Sequence, residues 1–253
     1  MLLFTYDEEV GTLGARRFVE TWPAPERLPR DVIIGEPTSL QVARLHKGML
    51  RLRLVFAGRA AHSGYPHLGR SAIEPAARAI VALADLRHSM EAERPAHGEH
   101  FPEVPFAALN VGTVAGGSAM NVIPDRCVVE VGIRLLPEMS AEAMTARVRA
   151  TVGDALPGEA FALEPLGLSP AMMLGDDAEI HRRLCEAVGQ QESRSVAFAT
   201  DAGWLQTLGL RCVIFGPGSI EVAHRPNEFV PAAELRRAAE ILEGLVHRRC
   251  VAS

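Results

Sequence analysis

Asp31-Val32-Ile33-Ile34-Gly35-Glu36-Pro37-Thr38-Ser39 is the stretch on which the fold turns. Three β-branched residues in a row, bounded by turn-forming residues, have the form of a short buried strand. Its C-terminal end delivers a carboxylate, Glu36, and open α/β sheets place their ligands at that end. The opening of the chain repeats the order. Met1-Leu2-Leu3-Phe4-Thr5-Tyr6-Asp7-Glu8-Glu9-Val10-Gly11 is an apolar run that breaks into three consecutive acids. That run is expected to be a second buried strand, bringing its carboxylates to the same sheet edge. Adjacent negative charges withdrawn from water need a cation beside them, and a divalent metal is the strongest candidate. A solvated acidic turn would explain either motif alone, but not the repetition as well.

Between the two strands, Leu13, Phe18 and Val19 fit a short amphipathic helix over 12–21, and Pro23, Pro25 and Pro29 mark a loop. From His46 the pattern changes. Leu50, Leu52, Leu54 and Phe56 alternate with Met49, Arg51, Arg53 and Val55, the period of a strand with one solvated face. A polar loop with His62 and His67 follows. The next helix is expected to bury Ile73, Ala76, Ala77, Ile80, Val81 and Ala84. Residues 91–105 read as an exposed, mobile connection rich in His, Pro and Glu. Strands are expected over 107–114 and 127–135, then a helix capped by Ser140 that buries Met144, Val148 and Val152, and a last strand at 161–163. The order strand, helix, strand, strand, helix, strand is that of a ferredoxin-like α+β sandwich.

Beyond Pro170 the α/β alternation resumes. Ile180, Leu184 and Val188 form a helix stripe, 196–198 a strand, 202–208 a helix, and Cys212-Val213-Ile214-Phe215 a buried strand running into Gly216-Pro217-Gly218-Ser219. A final helix opens after Pro231 and buries Leu235, Ala238, Ala239, Leu242 and Leu245. The expected organisation is therefore an α/β domain in two parts, 1–46 and 168–253, with 47–167 inserted.

The 253 residues are 48% hydrophobic, enough for a real core. A net charge of −5 and the lack of any Lys/Arg block argue against nucleic-acid partners. Apolar runs stop well short of a membrane span, and no secretory signal stands at the N-terminus, so a cytoplasmic setting is expected. Cys127, Cys185, Cys212 and Cys250 are widely spaced and read as reduced thiols. Met1 stands inside an expected core strand, from which a missing N-terminal portion is expected.

Candidate ligands gather at expected strand ends: Glu8 or Glu9, Glu36, and His224 in Ala223-His224-Arg225-Pro226-Asn227-Glu228. Two carboxylates and an imidazole suit Zn²⁺, Co²⁺ or Mn²⁺ better than Ca²⁺. A further free carboxylate would serve as a general base.

Five motifs occur in the order found in the M20 metallopeptidase and deacylase family. They are 5–11 (TYDEEVG), 35–39 (GEPTS), 61–66 (AHSGYP), 116–124 (GGSAMNVIP) and 223–228 (AHRPNE). Residues 35–41, 46–48, 68–72 and 216–220 look most like its acetylornithine deacetylase branch, with the succinyl-diaminopimelate desuccinylases and dipeptidases as competitors. The resemblance implies a zinc-peptidase-like α/β catalytic domain, incomplete at its N-terminus, with an inserted ferredoxin-like dimerisation (lid) domain. It implies a two-metal Zn²⁺ or Co²⁺ site, with Glu8 as general base, Glu9 as a metal ligand, Glu36 on one metal and His224 on the other, and His62 reaching the active site of a homodimer partner to polarise the scissile carbonyl. It also implies Asn121 and Arg134 as binders of the substrate carboxylate, Gly216 and Gly218 as backbone contacts, and Thr200, with Asp201, as pocket lining. The substrate class is a small N-acyl amino acid, with N2-acetyl-L-ornithine in arginine biosynthesis as the expected member. The family's H-x-D motif and bridging aspartate have no counterpart in these residues. One metal site is thus expected to be incomplete and hydrolysis by this chain weak. A non-catalytic, dimerising fragment is the alternative of another class.

Overall fold

The computed structural model describes residues 1–250, with side chains through residue 248. In chain order the elements are α1 (Leu13–Thr21), β1 (Asp31–Ile34), β2 (Ala43–His46), β3 (Gly48–Ala57), α2 (Ile73–Ala92), β4 (Ala108–Gly116), β5 (Arg126–Leu135), α3 (Ala141–Ala155), β6 (Phe161–Ser169), β7 (Met172–Met173), α4 (Glu179–Val188), β8 (Arg194–Val196), α5 (Ala202–Leu205), β9 (Arg211–Ile214) and α6 (Ala232–Cys250). They divide into one unit of Met1–Lys47 with Ser169–Ser253 and another of Gly48–Leu168. No helix among the described residues is long and apolar enough to cross a membrane. Cys127, Cys185 and Cys212 are free thiols. The Cys250 side chain lies outside the described residues.

The first unit is built on a sheet ordered β1-β9-β2-β7, with β8 also paired to β2. β1 runs parallel to β9 in the register Val32↔Cys212, Ile33↔Val213, Ile34↔Ile214. Successive side chains of a strand point to opposite faces, and here both faces are covered. Cys212 and Ile214 pack with Ala202, Leu205 and Met172 on one side. Val213 and Phe215 pack with Ile180, Leu184, Ala238 and Ile241 on the other. This is why the strand reads as an unbroken apolar run.

The opening of the chain departs from expectation. Residues 1–10 form no strand, and Met1, Leu2 and Phe4 are 74%, 86% and 88% exposed. A strand is held by neighbours that take up its N–H and C=O groups, and no described strand pairs with this run. β2 is the converse case, a strand not expected from the sequence because Arg44 and His46 interrupt its apolar pattern. Both side chains are buried. The Arg44 guanidinium donates to the Leu174 carbonyl at 2.7 Å.

The second unit is a four-stranded antiparallel sheet ordered β4-β5-β3-β6, the ferredoxin-like arrangement expected from its element order. Leu50, Leu52, Leu54 and Phe56 are buried opposite Ile133, Val131, Val129 and Cys127. The other face carries Arg53 and Glu130, paired at 2.7 Å. Ser140 caps α3, its hydroxyl accepting from the Ala143 N–H at 3.1 Å, and Met144, Val148 and Val152 are buried. The buried face of α2 differs from the expected one: it is Pro75, Ala76, Ala79, Leu83, Leu86 and Met90. Ile73 and Val81 are 40% and 63% exposed. The first half of this helix is alanine-rich on both sides, so its spacing fits two stripes. The longer Leu83, Leu86 and Met90 decide which stripe turns inward. The 91–105 connection is also less loose than expected, because Phe101 is buried beside a 3-10 turn at Gly98–His100.

Candidate metal centre

In the first unit, Glu36 leaves the end of β1 on a loop braced against the segment that follows β9. Thr38 is the hub. Its hydroxyl accepts from the Gly216 N–H at 3.1 Å and donates to the Gln41 carbonyl at 2.6 Å. The Ser39 and Leu40 amides donate to the Gly218 and Gly216 carbonyls at 2.7 and 2.9 Å. These bonds hold Ser39 and Leu40 in the left-handed region, φ 52° and 59°, a costly conformation for both residues. A Cβ at Gly216 would stand 2.5 Å from the Glu36 carbonyl oxygen, so only glycine lets the two loops meet. The Gly218 amide donates to Glu234 at 2.9 Å. Both glycine amides are therefore engaged within the protein, and turn geometry accounts for them.

Glu8 and Glu9 are positioned without a strand. Gly11 and Thr12 donate their amides to the Glu8 carbonyl, Leu13 to that of Asp7 and Gly14 to that of Tyr6, a compact turn that opens α1. Side chains pin it at both ends. The Thr5 hydroxyl donates to Asp201 Oδ2 at 2.5 Å, and the Trp204 indole N–H donates to the buried Thr12 hydroxyl at 3.0 Å. Asp201 and Trp204 belong to one short segment, so α5 and the residue before it anchor the acidic turn.

The acids face one another. Burial, then the charges of Glu8, Asp201 and Glu9, push the Glu36 carboxyl up to about 7. Burial, then Asp201 and Glu9, raise Glu8, with His224 acting in the opposite direction. Burial also raises Asp201, against the Thr5 hydroxyl. Asp201 Oδ1 is buried without a hydrogen-bond partner. Glu9 Oε2 meets His224 Nε2 at 3.2 Å, both side chains about 70% exposed. His224 sits at φ 61°, its amide donating to Glu228 at 3.0 Å. Residues from opposite ends of the chain thus assemble one centre of excess negative charge.

Asp201 is the member that sequence reading undervalued. It immediately precedes α5, where an aspartate usually caps the helix, yet its side chain makes no cap bond. Thr200 is fully buried, its hydroxyl accepting from the Ala202 N–H at 3.1 Å.

In the second unit the structure joins His62 to Asn121 and separates both from Arg134. His62 bridges Val122, and the Ser63 amide donates to the Asn121 carbonyl at 2.9 Å. The Gly64 amide donates to His62 Nδ1 at 3.0 Å. In the neutral ring the proton then sits on Nε2, an exposed donor. Arg134 lies opposite Met49, at the end of β3 where this unit begins, whereas the His62 loop follows the other end of β3. Cys127 and Arg134 alone are about 24 Å apart at the rise of a strand. Within one chain Asn121 and Arg134 therefore cannot grip the same small carboxylate.

Residues 44–160 match the family model described as the peptidase dimerisation domain of M20 enzymes. An acetylornithine deacetylase of Myxococcus xanthus is 35% identical over 99% of this chain, and that of Klebsiella pneumoniae is 33% identical over 98%. The chain is similar to these deacetylases over nearly its whole length and matches an M20 dimerisation domain. It spans 65% and 64% of the length of those two relatives. Among solved M20-like structures, an aminopeptidase of Bacillus cereus superposes with a TM-score of 0.72 at 21% identity, over 94% of this chain and 61% of that one. An M20 metallo-carboxypeptidase of Sulfolobus solfataricus gives 0.71 at 16%, over 94% and 67%. These two establish the fold.

Glu9, Glu36 and His224 are of the donor types a divalent ion takes, but among the described residues their ligand atoms do not all lie within 4.8 Å of one another. Carboxylates crowded until their protonation is favoured, with a buried oxygen left unpaired, are what a cation would relieve. Glu9, Glu36 and His224 are hard-to-borderline donors suited to the zinc group of metals.

Proposed function

We propose that the chain carries out, as a metal-dependent M20 amide hydrolase in the cytoplasm, removal of the acetyl group from an N-acetylated amino acid, with N2-acetyl-L-ornithine in arginine biosynthesis as substrate. The observation that carries this reading is the meeting of Glu9 with His224 beside Glu8, Glu36 and Asp201. Similarity to acetylornithine deacetylases over nearly the whole chain supports the substrate. Glu9, Glu36 and His224 would hold Zn²⁺ or Co²⁺. The ion supplies Lewis acidity toward the amide carbonyl and makes a nearby water easier to deprotonate.

The remaining work falls to side chains. Glu8 takes a proton from the attacking water and returns it to the leaving amine, and its raised pKa strengthens it as the base. Glu9, held against His224 Nε2 and assigned to the ion, is not free to compete as the base. Arg134 is half-buried, its positive charge disfavoured by burial and by Arg51, which makes it a receptor for an anion such as the substrate carboxylate. His62 offers Nε2–H to the scissile carbonyl, as a directional donor should. The separation of His62 and Asn121 from Arg134 supports a homodimer in which those two residues serve the partner's site. Gly216 and Gly218 support Glu36 instead of donating to ligand.

The test is acetate release from N2-acetyl-L-ornithine by the chain with Co²⁺ or Zn²⁺, compared with succinate release from N-succinyl-diaminopimelate. Release of acetate that is faster and is lost in Glu8→Gln is expected. Faster succinate release would replace the substrate. One second reading, a dimerising chain without activity, is supported by the match of residues 44–160 to the peptidase dimerisation domain. Metal binding with no Glu8-dependent release from either substrate would establish it.

A further inference from the structure

The second unit holds a group of side chains that the hydrolase reading leaves unused. Among the described residues, His97, Glu99 and His100 form the trio of metal-ligating types whose ligand atoms all lie within 4.8 Å of one another. They sit on the 3-10 turn Gly98–His100 and the residue before it. His97 precedes the turn in the left-handed conformation, and His100 closes it. Their rings lie nearly parallel, 11° apart, with centroids separated by 6.2 Å. His100 Nε2 is 3.7 Å from Glu99 Oε1. A fourth group joins from another part of the unit: Glu138 Oε2 stands 3.1 Å from His97 Nε2.

We propose that His97, Glu99 and His100, with Glu138 against His97, form a second site for a divalent d-block cation such as Zn²⁺. Ligand atoms of a tetrahedral Zn²⁺ stand about 3.3 Å apart, given bonds near 2.0 Å. The observed separations of 3.1 and 3.7 Å bracket that value. Two imidazoles and two carboxylates also balance a 2+ charge, and this mixture of donors favours the zinc group over Ca²⁺ or Mg²⁺.

The platform is firm for a loop. His97 and Glu138, which meet, both hold the left-handed conformation at φ 65°, an arrangement that costs backbone energy and often marks a functional position. A Cβ at Gly98 would stand 2.4 Å from the Pro105 carbonyl, so the turn is packed directly on the chain that closes the loop. Phe101 anchors its far side in the core. Preorganised donors lose little on taking up an ion.

The test uses the full chain carrying His224→Ala, which disables the first centre, titrated with Zn²⁺ by calorimetry. One ion per chain is expected to bind, about tenfold or more weakly when His97→Ala and His100→Ala are added, and several-fold more weakly with Glu138→Gln. These side chains are half-buried or exposed, and thermal unfolding of each variant checks that the fold is kept. In a ¹⁵N-histidine spectrum, Co²⁺ should broaden the His97 and His100 rings before the others. An isotherm unchanged by the double substitution, or broadening that spares both rings, would overturn the site. Neither result bears on Glu9, Glu36 and His224, which are read in the converse background.

Discussion

Glu36 and Glu8 reach one charged centre on loops built in different ways. The Glu36 loop continues a strand, is cross-braced by Thr38, Ser39 and Leu40 against Gly216 and Gly218, and accommodates two left-handed residues. The Glu8 turn has no strand behind it. It hangs from two side-chain bonds, Thr5 to Asp201 and Trp204 to Thr12, and its preceding residues are solvated. The first loop fixes Glu36, whereas the second leaves Glu8 on the more yielding of the two supports.

Glycine substitution contrasts them most strongly. A Cβ at Gly216 and one at Gly14 would each stand 2.5 Å from backbone, that of Glu36 and of Tyr6 respectively. The braced loop cannot yield, so Gly216→Ala is expected to cost about 3 kcal/mol in denaturant unfolding. The Tyr6 segment can move, and alanine favours helix α1, so Gly14→Ala is expected to cost under about 1 kcal/mol. Equal costs would erase the distinction.

The pH dependence of the metal-free chain comes next. Glu36 is raised from 4.5 to about 7, so the folded state binds the extra proton between those values. Its contribution to stability is present below pH 4.5 and is lost as pH rises through 7, on the order of 2 kcal/mol after solvent screening. Thermal unfolding should show this decline, flattened in Glu36→Gln. Stability that rises over the same window in the wild type would contradict the crowding of the acids.

Both anchors of the Glu8 turn should register more weakly. Trp204→Phe removes the indole donor to Thr12 and is expected to cost about 1–2 kcal/mol. Thr5→Val should cost about 1 kcal/mol and drive the Asp201 carboxyl higher still, since the Thr5 hydroxyl now holds it down. Unfolding curves and carboxyl titration by NMR measure the two effects.

The same contrast explains what the sequence discloses. β3 is legible because its alternation is a property of the strand itself, and β9 because burial on both faces leaves only apolar residues. The opening run has the composition of a strand but finds no neighbour among the described residues, and pairing is not written in one segment. β2 is hidden for the opposite reason: Arg44 is buried by virtue of a carbonyl supplied from residue 174. Among the site residues, Glu8, Glu9, Glu36 and His224 announce themselves by chemistry at loop positions. Asp201 does not, because Asp before a helix already has an ordinary meaning. Only its bond to Thr5 gives it another.

The central claim, that Glu9, Glu36 and His224 hold a divalent ion, is tested most directly by Zn²⁺ calorimetry in the His97→Ala/His100→Ala background. Binding is expected there, weakened about tenfold or more by Glu9→Ala and by His224→Ala separately. An affinity that neither change alters would contradict the account.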